Sequence, residues 1–476
     1  VDLLQITILA AAAALYLALL PARWRGWALY LGSLVAIYWL QPPLAIRWLD
    51  YALPTASIAL AALAWWITRP AGARPTRDDA AALAAALIVI TVLALPRYLD
   101  LPLTLTTRPP PAETVAAALL LLGLAALAVR RALGPRRALA AALIALIGLF
   151  IVLKLPPLTE QVARLLRLNA GQDPTLAAST ELGWLGFSYL AFRLIHTFRD
   201  RQSGLLPALS LRETVTYAIF APAYTAGPIA RAEEFAAAYR PLAGMRGLDP
   251  DRITQGLTRI GVGLFRKFVV ADSLAVFSLS PALLDSALTP GAVWVMLYAY
   301  GLRLYFDFSG YTDIAIGLAL LLGIPLPENF DRPYLKANLT AFWQSWHISL
   351  TDWARFYIYS PLSRALLRRQ PRPANAVIIL IASAATMITI GLWHNLTLPF
   401  LLFGLWHTAG LFAHKRWTDR TRTWYRGLTA RRRQAWTVAG VLLTFHFVLL
   451  GWVWFAMPTL PQAIETFSRL AGLGER

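Results

Sequence analysis

An all-α, polytopic membrane protein is the fold class this sequence predicts, and three observations predict it. Of 476 residues, 58% are hydrophobic and only 14% charged, against roughly 25% charged in soluble domains. Mean hydropathy is +0.55. Apolar runs recur at lengths close to the ~20 residues that cross a bilayer as a helix, and none reads as an alternating ten-residue strand of a membrane barrel.

The runs follow in order. Leu3 to Leu20, Tyr51 to Ile67, Ala80 to Leu95, Thr114 to Val129 and Ala138 to Leu153 each read as a span. Asp2 precedes the first, with no basic segment before it, so this run reads as a retained span and not a cleaved signal. Basic clusters alternate with the early spans: Arg23 and Arg25; Arg69, Arg74 and Arg77; Arg130, Arg131, Arg136 and Arg137. The connection from Arg97 to Glu113 is Pro-rich and near neutral. Positive-inside placement then puts the N-terminus outside, Pro156 to Ser179 outside, and Arg199 with Arg201 inside.

Glycines and prolines interrupt Ala218 to Ile229 and the stretch from Gly261 to Asp272, which read as short or re-entrant helices. Such backbone is tolerated at membrane depth only where protein buries it or water reaches it. The clusters Arg364, Arg368, Arg369, Arg372 and Lys415 to Arg433 read as cytoplasmic, so Ala376 to Trp393 and Leu398 to Ala413 form a hairpin with His394 at its tip. A final span, Ala435 to Phe455, leaves the C-terminus outside. The count is roughly 11–13 transmembrane or re-entrant helices in one membrane-embedded domain, residues 1–476. Residues 1–155 carry no chemical motif and read as helical scaffold.

Composition also excludes functions. The formal charge of +19 would fit a nucleic-acid footprint, but its basic residues lie in short loops between spans, so no nucleic-acid partner is expected. There is no cysteine, which removes disulfides, thiolate metal sites and a cysteine nucleophile. Any thioester must come from the substrate side.

Two histidines carry the chemical signal. His347 lies in FWQSWHISLTDW and His394 in GLWHN, both in apolar, tryptophan-lined sequence. An ionisable residue at membrane depth is expensive and marks function by default. Read as a helix, the first segment places His347 on one face with Trp343 and Thr351, and sets Trp346, Leu350, Trp353 and Tyr357 on a packing stripe. A lone histidine in such a setting is more often structural; the pair shifts the balance. Neutral imidazole is the natural proton acceptor near pH 7, and the indole N–H groups of Trp343, Trp346 and Trp393 are candidate donors to an oxyanion or substrate. Two histidines do not make a metal set, so no metal or bound cofactor is expected. Asp307, Ser309 and Asp313 read as a nucleophile and base or, more simply, as a local polar network. Arg266 and Lys267 read as contacts to a phosphopantetheine or lipid phosphate, or as snorkelling cations. Gly391 permits close helix approach before His394. His407 reads as structural; His196, His414 and His446 carry no supporting motif.

The ordered series SYLAFRLIHTFRDRQSG, YTAGPIARAEEF, GLFRKFVVAD, YFDFSGYTDIAIGLALLLGIPLPENFDRPYL, FWQSWHISLTDW, GLWHN and GLWHTAGL resembles the membrane-bound O-acyltransferase family. The resemblance covers Leu182 to Phe455, and is to the bacterial branch that modifies envelope polysaccharides with acetyl or D-alanyl groups. It implies that His394 is the catalytic histidine and His347 its companion. It also implies a helical ring around a thinned centre, with an acyl thioester donor (acyl carrier protein or acyl-CoA) on the cytoplasmic side. The acceptor would be an extracytoplasmic glycopolymer hydroxyl, reached directly or through a small membrane or SGNH-type partner protein. Phe356-Tyr357 after Arg355, and Ser363-Arg364-Ala365 in place of a glycine-rich turn, depart from alginate-type members; SYLAFR and FRDRQSG lean to the D-alanyl side. The competing reading is a transporter or channel using the histidines as a proton relay. The missing internal repeat and the order of the motifs tell against it.

The charge pattern makes a topological prediction. A cysteine at Gln172 should react with an impermeant maleimide in intact cells, and one at Thr421 only after the membrane is opened. Labelling of Thr421→Cys in intact cells would reverse the orientation.

Overall fold

The computed structural model describes residues 2–70, 72–99, 105–107, 109–245 and 249–473. Within the neutral 97–113 connection, residues 100–104 and 108 lie outside the described residues. Among those described there is no strand beyond one isolated bridge, Phe330 with Trp346. The chain is all-α, as its composition requires.

The chain divides into two units, Val1–Ile260 with Ile314–Leu326, and Gly261–Asp313 with Pro327–Arg476. The first holds α1 (Leu3–Leu19), α2 (Ala22–Leu40), α3 (Leu49–Thr68), α4 (Arg77–Ala94), α5 (Ala112–Lys154), α6 (Pro156–Asn169), α7 (Phe187–Ser203), α8 (Leu211–Ile219), α9 (Ala232–Tyr239) and most of α10 (Pro250–Leu264). The second holds α11 (Asp272–Ala275), α12 (Pro281–Ser286), most of α13 (Pro290–Leu321), α14 (Leu339–Trp343), α15 (Ile348–Ala354), α16 (Ser360–Leu367), α17 (Asn375–His394), α18 (Leu398–Arg426), α19 (Ala430–Ala456) and α20 (Leu460–Leu470). Two of the three boundaries fall inside α10 and α13, and the third follows Leu326.

Among the described residues, six segments are long and apolar enough to cross a membrane: Leu49–Thr68, Arg77–Arg97, Ala112–Gly134, Arg136–Lys154, Asn375–His394 and Ala430–Ala456. Leu3–Leu19 is a shorter apolar helix. The runs picked out by hydropathy in the first 155 residues therefore do form helices. α5 is kinked at Gly134, where φ is +70°, a value glycine adopts without strain. On α5, Leu120, Leu121 and Ile144 point outward, as apolar side chains in contact with lipid do.

Sequence-local caps fix several helix starts. Asp2 and Gln5, Thr76 and Asp79, and Ser210 and Glu213 form reciprocal capping boxes. Asp79 also joins two helices: one carboxylate oxygen accepts from Thr76 N–H (2.8 Å) and the other from Leu211 N–H (2.7 Å). The core of the first unit packs Tyr30, Leu34, Ile37 and Tyr38 of α2 against Tyr51, Ile58 and Ala61 of α3, Leu190 and Leu194 of α7, and Val215 and Ile219 of α8.

The two interrupted stretches differ from each other. Ala218 to Ile229 does lose helical form: α8 stops at Ile219, a 3₁₀ turn covers Ala221–Ala223, and irregular chain follows. Arg193, 2% exposed, holds this segment by donating to the carbonyls of Ala218 (3.0 Å) and Ala223 (2.6 Å). Tyr217 donates to the Ala230 carbonyl and Tyr224 hydrogen-bonds Ser57. Gly261 to Asp272, by contrast, stays helical, widening into a π-helical turn over Phe265–Ala271. The close contact here is made by Gly310 of α13, where a Cβ would lie 2.8 Å from the Gly263 carbonyl oxygen.

Replacing Arg193 by Met should lower the thermal midpoint of the purified protein, at a cost of about 1.5–3 kcal/mol for each lost charge-assisted bond. Arg193→Lys should recover less than half, because an ammonium lacks the planar fork that spans two carbonyls. An unchanged midpoint in both variants would remove this role.

Candidate active site

The turn that carries His347 is built by one buried asparagine. Asn329 is fully buried. Its Oδ1 accepts from Ser349 N–H (3.1 Å) and Ser349 Oγ (2.8 Å), and its backbone carbonyl accepts from Ile348 N–H (3.0 Å). Asp331 N–H donates to the Ser345 carbonyl (3.0 Å), pinning the two strands of the turn. These bonds hold His347 at φ +46°, ψ 54°, the left-handed region that non-glycine residues enter rarely and histidine more readily than most.

His347 is thus the residue before α15 and not part of a helix. This corrects the expectation that Trp343, His347 and Thr351 share a helical face. The helix breaks after Trp343 because Gln344 and Ser345 turn and His347 reverses the backbone. The expected stripe breaks with it. Trp346 joins Phe342, Tyr334 and Trp452, while Trp353 packs on Tyr357 further along.

The Asn329 network also sets the proton on His347. Oδ1 is identified as the oxygen because it accepts two Ser349 bonds. The Nδ1 contact at 3.1 Å therefore requires Nδ1–H to donate. Nε2 is left with its lone pair, and it is buried without a hydrogen-bond partner among the described residues. His347 as a whole is 3% exposed. A dry imidazole nitrogen that can accept a proton or a hydrogen bond is the chemistry this turn provides.

His394 arrives from the hairpin. It is the last residue of α17, followed by Asn395 in extended conformation before α18. The two helices approach closely because both contacts are glycines. A Cβ on Gly391 would lie 2.3 Å from the Phe400 carbonyl oxygen, and one on Gly404 2.7 Å from Ile388 Cα. The His394 ring, half-buried, stacks near Phe400 and meets Phe455 edge-on at 4.6 Å between centroids.

Trp393 brings the two histidines together. Its ring centroid is 4.3 Å from that of His394 and 6.1 Å from that of His347. The separation of the imidazoles cannot exceed the sum of those distances. Phe308 of α13 closes the other side of His347 at 4.7 Å, edge to face.

The remaining candidates fall elsewhere. Trp343 donates from Nε1 to Nδ1 of His407 (3.3 Å); His407 is fully buried against Gly451, where a Cβ would lie 2.9 Å from its Nε2. Lys267 is ion-paired with Asp307, and Arg266 with Asp313, so these four tie the π-helical turn to α13. Ser309 is buried next to Phe308 on α13. Asn329 and Ser349 carried no motif in the sequence; the available signal was an asparagine two residues after Pro327, in PENFDRPYL, in the connection that leads to His347. Away from this site, His196 lies 2.9 Å from Asp200 and 3.4 Å from Glu233. Arg231 is ion-paired with both carboxylates, so a cation already occupies that cluster.

The class defined so far is an all-α membrane protein with two histidines converging on one tryptophan. The family model for the membrane-bound O-acyltransferases matches residues 144–452, and the chain belongs to that family. It is an acyltransferase. A teichoic acid D-alanyltransferase of Streptococcus thermophilus is 30% identical over 60% of this chain and 71% of its own. A probable alginate O-acetylase of Pseudomonas syringae is 31% identical over 64% and 57%, and a peptidoglycan O-acetyltransferase of Helicobacter pylori 32% over 56% and 48%. Over the latter two, the chain spans only about half of the relative's length.

Asn329→Asp should place a negative charge against Nδ1 and favour the imidazolium. The acid limb of the rate–pH profile should move to higher pH, with lower transfer at neutral pH. Asn329→Leu should reduce transfer without moving that limb. Identical profiles for both variants would show that Asn329 acts on the backbone turn alone.

Proposed function

We propose that this protein transfers an acyl group from a cytoplasmic thioester to a hydroxyl of a cell-envelope glycopolymer, in the cytoplasmic membrane. The observation that carries the reading is the buried acceptor nitrogen of His347 held across Trp393 from His394. The family supplies the reaction class, and the relatives' names supply the class of acceptor: teichoic acid, alginate and peptidoglycan.

In the proposed step, the acceptor oxygen attacks the thioester carbonyl, a C–O bond forms, the C–S bond breaks and the thiol leaves. His394 takes the hydroxyl proton and returns it to the thiolate. His347 was expected to position the donor or to stabilise the oxyanion. With Nε2 as an acceptor it has no proton to give an oxyanion, so the positioning role is the one its geometry supports, through a substrate N–H or O–H. The Trp393 indole, beside both imidazoles, is the candidate donor to the oxyanion. A bilayer separates the thioester pool from an envelope polymer, which explains why the reacting groups sit in a membrane protein at all. Basic residues at Arg364, Arg368 and Arg369, and from Lys415 onward, suit an acidic carrier protein or the phosphates of acyl-CoA on the cytoplasmic side. A partner protein on the far side completes the transfer where the polymer cannot reach the site.

His394→Gln retains polarity but cannot take a proton at neutral pH. Transfer of labelled acyl groups to envelope polymer, in membranes with matched protein abundance, should fall by ~10²- to 10⁴-fold. His347→Ala should fall less. Wild-type transfer by His394→Gln removes the base role, and undiminished transfer by the double alanine variant removes the site. A transporter would instead keep its acyl-transfer background unchanged in all three.

A further inference from the structure

A cavity of about 370 Å³ lies in the first unit, where α1 ends and α2 begins. Arg25 and Arg252 enter it from α2 and α10, and Leu17, Leu322 and Met245 supply apolar wall. It has no part in the site described above.

Arg25 is the unusual member. It is 5% exposed, yet no carboxylate pairs with it among the described residues. One terminal nitrogen donates to the Met245 carbonyl at 3.3 Å, and Nε is buried without a partner among the described residues. A buried guanidinium with a single long hydrogen bond is poorly compensated for the water it has lost. Snorkelling does not account for it, since a snorkelling arginine carries its charge to water. Arg252, half-buried on α10, also has no ion pair among the described residues. The one acid in the lining, Asp249, is exposed and caps the Asp251 N–H at 3.1 Å. Both arginines therefore line a space in which the only acid among the described residues is exposed, already bonded to the chain, and paired with neither of them.

The surroundings indicate which anion. The cavity lies at the level where the chain turns from one apolar helix to the next, and α1 exposes Leu15 (58%) and Leu19 (73%) at that end. Its wall on the α13 side is closed by Gly323, at φ +81°, where a Cβ would lie 2.6 Å from Leu242 Cδ2. The volume accepts a headgroup; the acyl chains would lie outside it, along the exposed leucines. A free phosphate would satisfy the arginines but would gain nothing from the apolar rim.

We propose that this cavity binds the phosphate of an anionic membrane lipid, with Arg25 and Arg252 as its ligands and the end of α1 as the chain-contact surface. Basic pockets between membrane helices take such headgroups through the same pairing of guanidinium and phosphate. The bound lipid would join the α1–α2 turn to the start of α10.

The test is native mass spectrometry of the purified full chain in detergent, titrated with dioleoyl-phosphatidylglycerol, dioleoyl-phosphatidylcholine or inorganic phosphate. Wild type should retain phosphatidylglycerol in preference to phosphatidylcholine, and millimolar inorganic phosphate should not displace it. Arg252→Ala should weaken the preference about fivefold, the factor expected for one basic residue near a headgroup. Arg25→Ala with Arg252→Ala should abolish it. If the buried Arg25→Ala does not fold, Arg25→Lys and Arg252→Glu carry the test, with partial loss expected from the first and full loss from the second. Equal retention of the two lipids, or wild-type preference in the charge-reversed variant, overturns the proposal. Displacement by inorganic phosphate overturns the lipid as the source of the anion.

Discussion

Irregular backbone inside a membrane protein must be satisfied by the protein itself, and in this chain two buried side chains do that work. In the first unit, Arg193 donates to the carbonyls of Ala218 and Ala223, left open where α8 ends. In the second, Asn329 receives Ser349 and His347, and its own carbonyl receives Ile348. Without such partners each free N–H or C=O would face a medium that offers no hydrogen bond. Both breaks in helical order are therefore also the points at which polar side chains gather. The His347 turn exists because Asn329 can serve several donors at one oxygen and one carbonyl.

That turn has a chemical result as well as a structural one. A histidine on a regular helix would present its ring along the helix face, with either tautomer open to it. At φ +46° its ring is carried off the helix and placed between Phe308 and Trp393. The Nδ1–H bond then fixes Nε2 as an acceptor. His394 is placed by different means: two glycines let α17 and α18 touch, and the ring emerges at the end of α17 among Trp393, Phe400 and Phe455. One histidine is positioned by hydrogen bonds and the other by packing. The first is set to a single protonation pattern, whereas the second lies half-buried at the tip of its hairpin.

Several features were legible because they depend on neighbours in sequence. Apolar runs gave α1, α3, α4 and both halves of α5 but not α2, and the basic clusters bracketed the hairpin that carries His394. Gly391 marked a close helix contact. The π-helical turn over Phe265–Ala271 was not legible, since glycines there suggested a break, whereas the helix continues under two ion pairs from Arg266 and Lys267 to α13. Those pairs place Asp307 and Asp313 in a polar network between the π-helical turn and α13.

The sequence by itself determined the class of protein, the helical runs and the two histidines, since hydropathy over about 20 residues and residue chemistry are local properties. Only the tertiary structure decided which tryptophan the histidines share. Trp343 is four residues before His347 but turns to His407, whereas Trp393 is far along the chain and touches both rings. It also decided that His347 leaves the helix and which of its nitrogens accepts. The physical reason is that both depend on Asn329, which lies outside the tryptophan-rich segment and whose bonds form only when the chain folds back on itself.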